Sequence, residues 1–68
     1  MTHEDFLAWH QRMGYTYDSG AAALGMDRGT YADYVSGTKR STGKTMSYKR
    51  TIALACAALE AGLPPVGA

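Results

Sequence analysis

Apolar side chains recur along most of this chain at spacings of three and four, the repeat of one face of an α-helix. Phe6, Trp9, His10 and Met13 form the first such series, with Thr2 and Asp5 ahead of it as a capping box carrying the shorter acid, and Gly14 behind it. Thr16 is a second N-cap candidate, with Asp18 well placed for the helix dipole, and the run Ala21, Ala22, Ala23, Leu24 follows until Gly25. Asp27 is a third cap, ahead of Tyr31, Tyr34 and Val35 and a closing Gly37. Two short helices are therefore predicted on either side of a tight glycine turn. A fourth helix is predicted from Ser47 as its cap, with Ile52, Ala55, Cys56, Leu59 and Leu63 on one face, ended by Gly62 and Pro64-Pro65. Leu54, Ala58 and Ala61 lie off that face. With Leu63 and Val66 they make a second, smaller apolar surface.

Between the third and fourth helices, Thr38 to Thr45 is rich in Ser, Thr, Lys and Gly and has no apolar period, which predicts an exposed, mobile loop. Charge adds to the picture there. The net charge is only +1, but Lys39, Arg40, Lys44, Lys49 and Arg50 fall in a stretch with no acid between Asp33 and Glu60. Cations at the start of a helix oppose its dipole by about 0.3 to 1 kcal/mol each, so Lys49 and Arg50 suit a site that meets a polyanion. The plainer alternative is a set of solvated surface charges.

At 68 residues the chain reads as one domain near the lower limit for a self-sufficient core, and its apolar 46% contains much alanine, so help from a second subunit is expected. Cys56 has no disulfide partner, and with only His3 and His10 beside it there is no zinc-ligand spacing; no metal or cofactor is expected. Cys56 reads as a small core residue, His3 as a surface residue and His10 as partly buried and hydrogen-bonded. The start of the chain lacks a signal-peptide pattern and no apolar run is long enough for a membrane span, which points to a cytoplasmic protein. The segment G-T-K-R-S-T-G-K-T from Gly37 has one residue too many between its glycines, and no strand before it, for a phosphate-binding loop. No nucleophile, base and acid fall into a catalytic pattern, and an enzyme is not expected.

The stretch T-Y-D-S-G-A-A-A-L-G-M-D-R-G-T-Y-A-D-Y-V-S-G, Thr16 to Gly37, resembles the phage-repressor (Cro-like, XRE) helix-turn-helix family. The resemblance lies in spacing: Thr16, Ala21, Leu24, Gly25, Met26, Asp27, Tyr31, Tyr34 and Gly37 occupy the family's capping, small, apolar and turn positions without an insertion. Steep, close crossing of two helices needs a small side chain and a left-handed turn residue, which Ala21 and Gly25 provide. The segment K-R-T-I-A-L-A-C-A-A-L-E-A-G is similar to the last helix of small phage and proteobacterial members. Gly20 and Tyr31 depart from the pattern, which usually has a large apolar residue and Ile or Val there. A volume exchange, with the Tyr31 ring filling what Gly20 vacates, would reconcile both.

The resemblance implies an all-α, lambda-repressor-like domain of four to five helices over residues 1–68, with its motif at 16–37, a basic loop at 38–46, and a last helix and tail at 47–68. It also implies a homodimer, held through Leu54, Ala58, Ala61, Leu63 and Val66, that binds double-stranded DNA at an inverted-repeat operator and represses transcription. The third helix would enter the major groove and offer Arg28, Gly29, Ala32, Asp33 and Ser36. Arg28 is the expected base reader. Asp33 either accepts from a cytosine or orients Arg28, Gly29 lets the backbone approach, and Thr30 and Tyr17 reach the DNA backbone. Thr38, Lys39, Arg40, Lys44 and Lys49 are expected on phosphates, without reading sequence. Small regulators of phages and mobile elements, including anti-CRISPR-associated repressors, share this layout. The alternative is a protein-interaction module of the same fold, such as an antitoxin, favoured by the low net charge and by Asp33.

Overall fold

Side-chain caps and left-handed glycines set the limits of three of the four helices in the computed structural model, which describes residues 1–67. Helix α1 spans His3–Met13, α2 Tyr17–Leu24, α3 Arg28–Ser36 and α4 Arg50–Glu60. Thr2 accepts from the Asp5 amide while the Asp5 carboxylate accepts from the Thr2 amide at 2.9 Å, completing the predicted capping box. Thr16 makes the same reciprocal arrangement with Ser19, so a hydroxyl stands where the motif usually has an acid. Asp27 caps α3 by accepting from Thr30. These helices close on Gly14, Gly25 and Gly37, whose φ values of 68°, 71° and 86° are strained for any residue with a Cβ.

Helix α4 begins differently from expectation. Its N-cap is Lys49, which makes no side-chain cap bond, and Ser47 lies outside the helix. The Tyr48 hydroxyl donates to the Tyr34 carbonyl, which holds this segment against α3 before the helix can start. Among the described residues the chain is all-α with four helices and no strand, beyond an isolated antiparallel bridge between Thr38 and Thr45. None of these helices is long and apolar enough to cross a membrane.

Phe6, Trp9, Ala21, Tyr31 and Cys56 form the buried centre. The Phe6 ring lies 5.3 to 5.7 Å, centroid to centroid, from Trp9, Tyr31, Tyr34 and Tyr48, so one side chain of α1 gathers rings from α3 and from the segment before α4. Trp9 Nε1 donates to the Cys56 carbonyl at 3.0 Å, and Arg12 forms a two-point ion pair with Glu60 at 2.9 and 3.0 Å; both tie α1 to α4. Met13, Leu24, Val35, Ile52 and Leu59 pack around this centre. Leu63, expected on the buried stripe of the last helix, is instead exposed beyond its end. The chain turns there at Gly62, where φ is 73°.

Gly20 and Tyr31 meet as the volume exchange requires. Gly20 is buried, and a Cβ built on it would lie within 2.7 Å of Cζ, Oη and Cε1 of the Tyr31 ring. Tyr31 is fully buried, and its hydroxyl bonds His10 Nδ1 at 2.7 Å. That bond explains why His10 stands on the inner side of α1. His3 departs from the expectation of a plain surface residue: its Nε2 bonds the Val35 carbonyl at 2.7 Å, and its ring covers Gly37.

Two outcomes are expected. Gly20→Leu alone should lower the melting temperature by the equivalent of about 1 to 3 kcal/mol, the usual cost of overpacking, whereas Gly20→Leu with Tyr31→Val should recover part of that loss. Thermal denaturation of the wild type, both single variants and the double variant reads the coupling directly, and additive losses would refute the exchange. The second concerns acid. Hydrogen bonds from the Thr2 backbone and hydroxyl hold Asp5 below the ordinary carboxylate range, those from Thr30 do so for Asp27, and the Arg12 guanidinium does so for Glu60. Their contribution is present above the ordinary carboxylate value and is lost as pH falls through the lowered folded-state values, so the melting temperature should drop below about pH 4.

Candidate nucleic-acid interface

The turn at Gly25 and Met26 sets the start of α3 beside the start of α2. Met26 donates its backbone N–H to the Ala21 carbonyl at 3.0 Å, and buried Ala21 leaves room for the two helices to pack. Arg28, the first residue of α3, then faces the first turn of α2. Its Nε bonds Asp18 Oδ1 at 3.0 Å and its guanidinium carbon lies 5.4 Å from the centre of the Tyr17 ring. An arginine at a helix start meets an unfavourable dipole, and Asp18 and the ring offset it. Both members of this pair are largely exposed, so the contact fixes orientation more than stability.

Asp33 does not orient Arg28. It stands five residues further along α3, on a different side of the helix, and its Oδ1 accepts from Arg40 Nε at 2.9 Å. Arg40 belongs to the segment expected to be a mobile loop. The structure shows that segment folded back on itself: Lys39 donates to the Lys44 carbonyl at 2.8 Å, Gly43 to Lys39 at 2.6 Å, and Met46 to Gly37 at 2.9 Å. Gly43 supplies the left-handed turn residue, with φ of 71°. The loop is exposed, and its backbone is closed by its own hydrogen bonds.

Of the other residues expected to touch DNA, Thr30 directs its hydroxyl to Asp27 Oδ2 at 3.1 Å and so completes the α3 cap. Ser36 turns back to the backbone, bonding the Asp33 and Thr38 carbonyls at 3.2 Å. Lys39, Lys44, Lys49 and Arg50 are exposed and, among the described residues, none of them forms an ion pair. The structure thus brings together Tyr17 with Arg28, and Gly29 with Asp33 and Arg40. The partnership of Asp18 with Arg28 was legible in neither spacing nor composition, because it depends on how α2 meets α3.

The second apolar surface lies apart from these charges. Leu54 and Leu63 are about three-fifths exposed, at 58% and 60%, and Val66 is fully exposed. Beside them is a groove of ≈ 170 Å³ between α2 and α4, walled by Leu24, Ala55, Ala58, Leu59 and Leu63. Ala61 is exposed just past the end of α4.

No group of three or more His, Cys, Asp or Glu side chains among the described residues is placed to hold a metal ion. Cys56 is buried, and burial pushes its thiol up to about 11. No protein-family model, no curated protein and no solved structure matches this chain.

The thiol gives a direct test of the packing under α4. At pH 8 the folded protein should leave Cys56 unmodified by a thiol-reactive chromophore, and urea should release the full reaction in step with unfolding. Rapid labelling of the folded chain would mean that α4 does not cover the thiol.

Proposed function

We propose that this chain is a sequence-specific DNA-binding transcriptional regulator of helix-turn-helix type, in which α2 and α3 form the motif and α3 enters the major groove. The observation that carries the reading is the exposed start of α3, where Arg28 stands oriented by Asp18 and Tyr17 beside a folded loop bearing exposed lysines. A guanidinium at that position can form two parallel bonds to guanine O6 and N7. Lys39, Lys44, Lys49 and Arg50 supply charge for phosphates. The residue spacing from Thr16 to Gly37, with its resemblance to phage repressors, points the same way.

The regulator works as a two-fold dimer. Leu54, Ala58, Ala61, Leu63 and Val66 form the contact, which covers the apolar surface of α4 and the tail and places two α3 helices on the half-sites of an inverted repeat. A 68-residue chain with so few buried large side chains gains stability from such a contact. Occupying a promoter in this way makes the protein a repressor, of the kind that small phage and mobile-element operons carry, acting in the cytoplasm.

A second reading is favoured by two acids. Asp18 lies beside Arg28 of α3 and Asp33 beside Arg40 of the loop, and the net charge is only +1, so the same surface can receive a basic partner protein, as an antitoxin receives its toxin. Salt separates the two. Binding to duplex DNA should weaken with a log–log slope of about 0.9 per phosphate contact, Lys39→Ala should weaken all sequences alike and lower that slope by about one, and Arg28→Ala should relax base preference. Equilibrium binding to a randomised duplex pool and to the DNA upstream of the gene, from low to moderate salt, checks this. Failure to bind any duplex at low salt would end the regulator reading. Leu54→Glu should convert a dimer to a monomer in sedimentation equilibrium and weaken binding to full inverted repeats far more than to half-sites.

A further inference from the structure

A loop side chain lies across the exposed face of α3. Arg40 comes from the loop that follows α3, yet its Nε bonds Asp33 Oδ1 at 2.9 Å and its backbone amide reaches the same oxygen at 3.4 Å. The Asp33 side chain is only 17% exposed, while that of Arg40 is 68% exposed, so the carboxylate is an inner support and the guanidinium an outer surface. One turn before Asp33 on α3, at the position four residues earlier, is Gly29. A Cβ built there would fall on Arg40 Nη2 and would lie 3.4 Å from its Cζ. Gly29 is therefore the slot in which the guanidinium rests.

From this juxtaposition we propose that Arg40 is a second base-reading residue, placed on the recognition helix by Asp33 and admitted by Gly29, and that its ligand is a guanine edge in the major groove. The proposal gives Arg40 a base edge in place of the phosphate expected of it, and it rests on the regulator reading above. The donor count supports it. An arginine has five N–H donors, and with Nε given to Asp33 the end-on pair, Nη1 and Nη2, makes no hydrogen bond among the described residues and forms the fork that guanine O6 and N7 accept. A phosphate contact needs no such fixed plane. A lysine in the same loop meets a phosphate as well, and Lys39 and Lys44 are held by no acid among the described residues. Asp33 is a positioning residue, and Gly29 acts through the space it leaves.

The test uses the whole chain and a randomised duplex pool, with enrichment followed by competition against every single base-pair change in the enriched site. Arg40→Ala should remove preference at one guanine per half-site, a loss of roughly 5- to 150-fold in discrimination there, with the other positions retained. Gly29→Ala should erase preference at the same base pair by displacing the guanidinium, although alanine favours helix over glycine and the melting temperature should not fall. Arg40→Lys should not restore it, because an ammonium lacks the fork. Asp33→Asn should weaken it at that position alone. If Arg40→Ala lowers affinity equally for every sequence, or Gly29→Ala leaves the base profile intact, this assignment is overturned while the regulator reading stands. If the wild type enriches no sequence at all, the regulator reading falls and this assignment falls with it.

Discussion

The close approach of α2 to α3 is the constraint on which the rest of the molecule depends, and a single pair of residues permits it. The Tyr31 ring occupies the volume that any side chain at position 20 would need. Because that ring is fully buried and its hydroxyl reaches His10, one side chain of α3 packs on α2 and ties to α1 at once. Burial pushes the phenol up to about 12, so the hydroxyl keeps its proton at neutral pH. A helical glycine normally destabilises by about 1 kcal/mol relative to alanine. Here it is offset by an aromatic ring that meets Phe6 edge-on and seals the centre of the domain.

Much of this is legible in the chain alone. Caps and closing glycines are local, so Thr2, Thr16, Asp27, Gly14, Gly25 and Gly37 marked three helices correctly. The start of α4 is not legible there: Ser47 has the chemistry of a cap, but the tether of Tyr48 to Tyr34 is a tertiary event that no window of sequence contains. The exchange of Gly20 for Tyr31 was visible as two departures from one pattern. The charges were harder. Their sign and order are written in the sequence, but ion pairs between elements are decided by packing, which is why Arg28 found Asp18 and Asp33 found Arg40.

These pairs give the exposed side of α2 and α3 an alternating character. Arginines lie outward, each steadied by a carboxylate behind or beside it, while the lysines of the loop pair with no acid among the described residues. With their guanidinium groups in solvent such pairs contribute little to folding, and their effect is to restrict the planes in which those groups are presented. Fixed planes favour recognition of shaped, two-point ligands. Solitary ammonium groups, by contrast, respond to charge density from any direction.

The loop between α3 and α4 is pinned at both margins. Gly37 is buried under the His3 ring, and Tyr48 is fastened to the Tyr34 carbonyl. What lies between contributes nothing to the buried centre. Closing a flexible loop becomes harder by only about 0.6 kcal/mol for each doubling of its length. The chain from Thr38 to Ser47 is therefore a separable cassette, whose length can change at little cost to the scaffold that carries it.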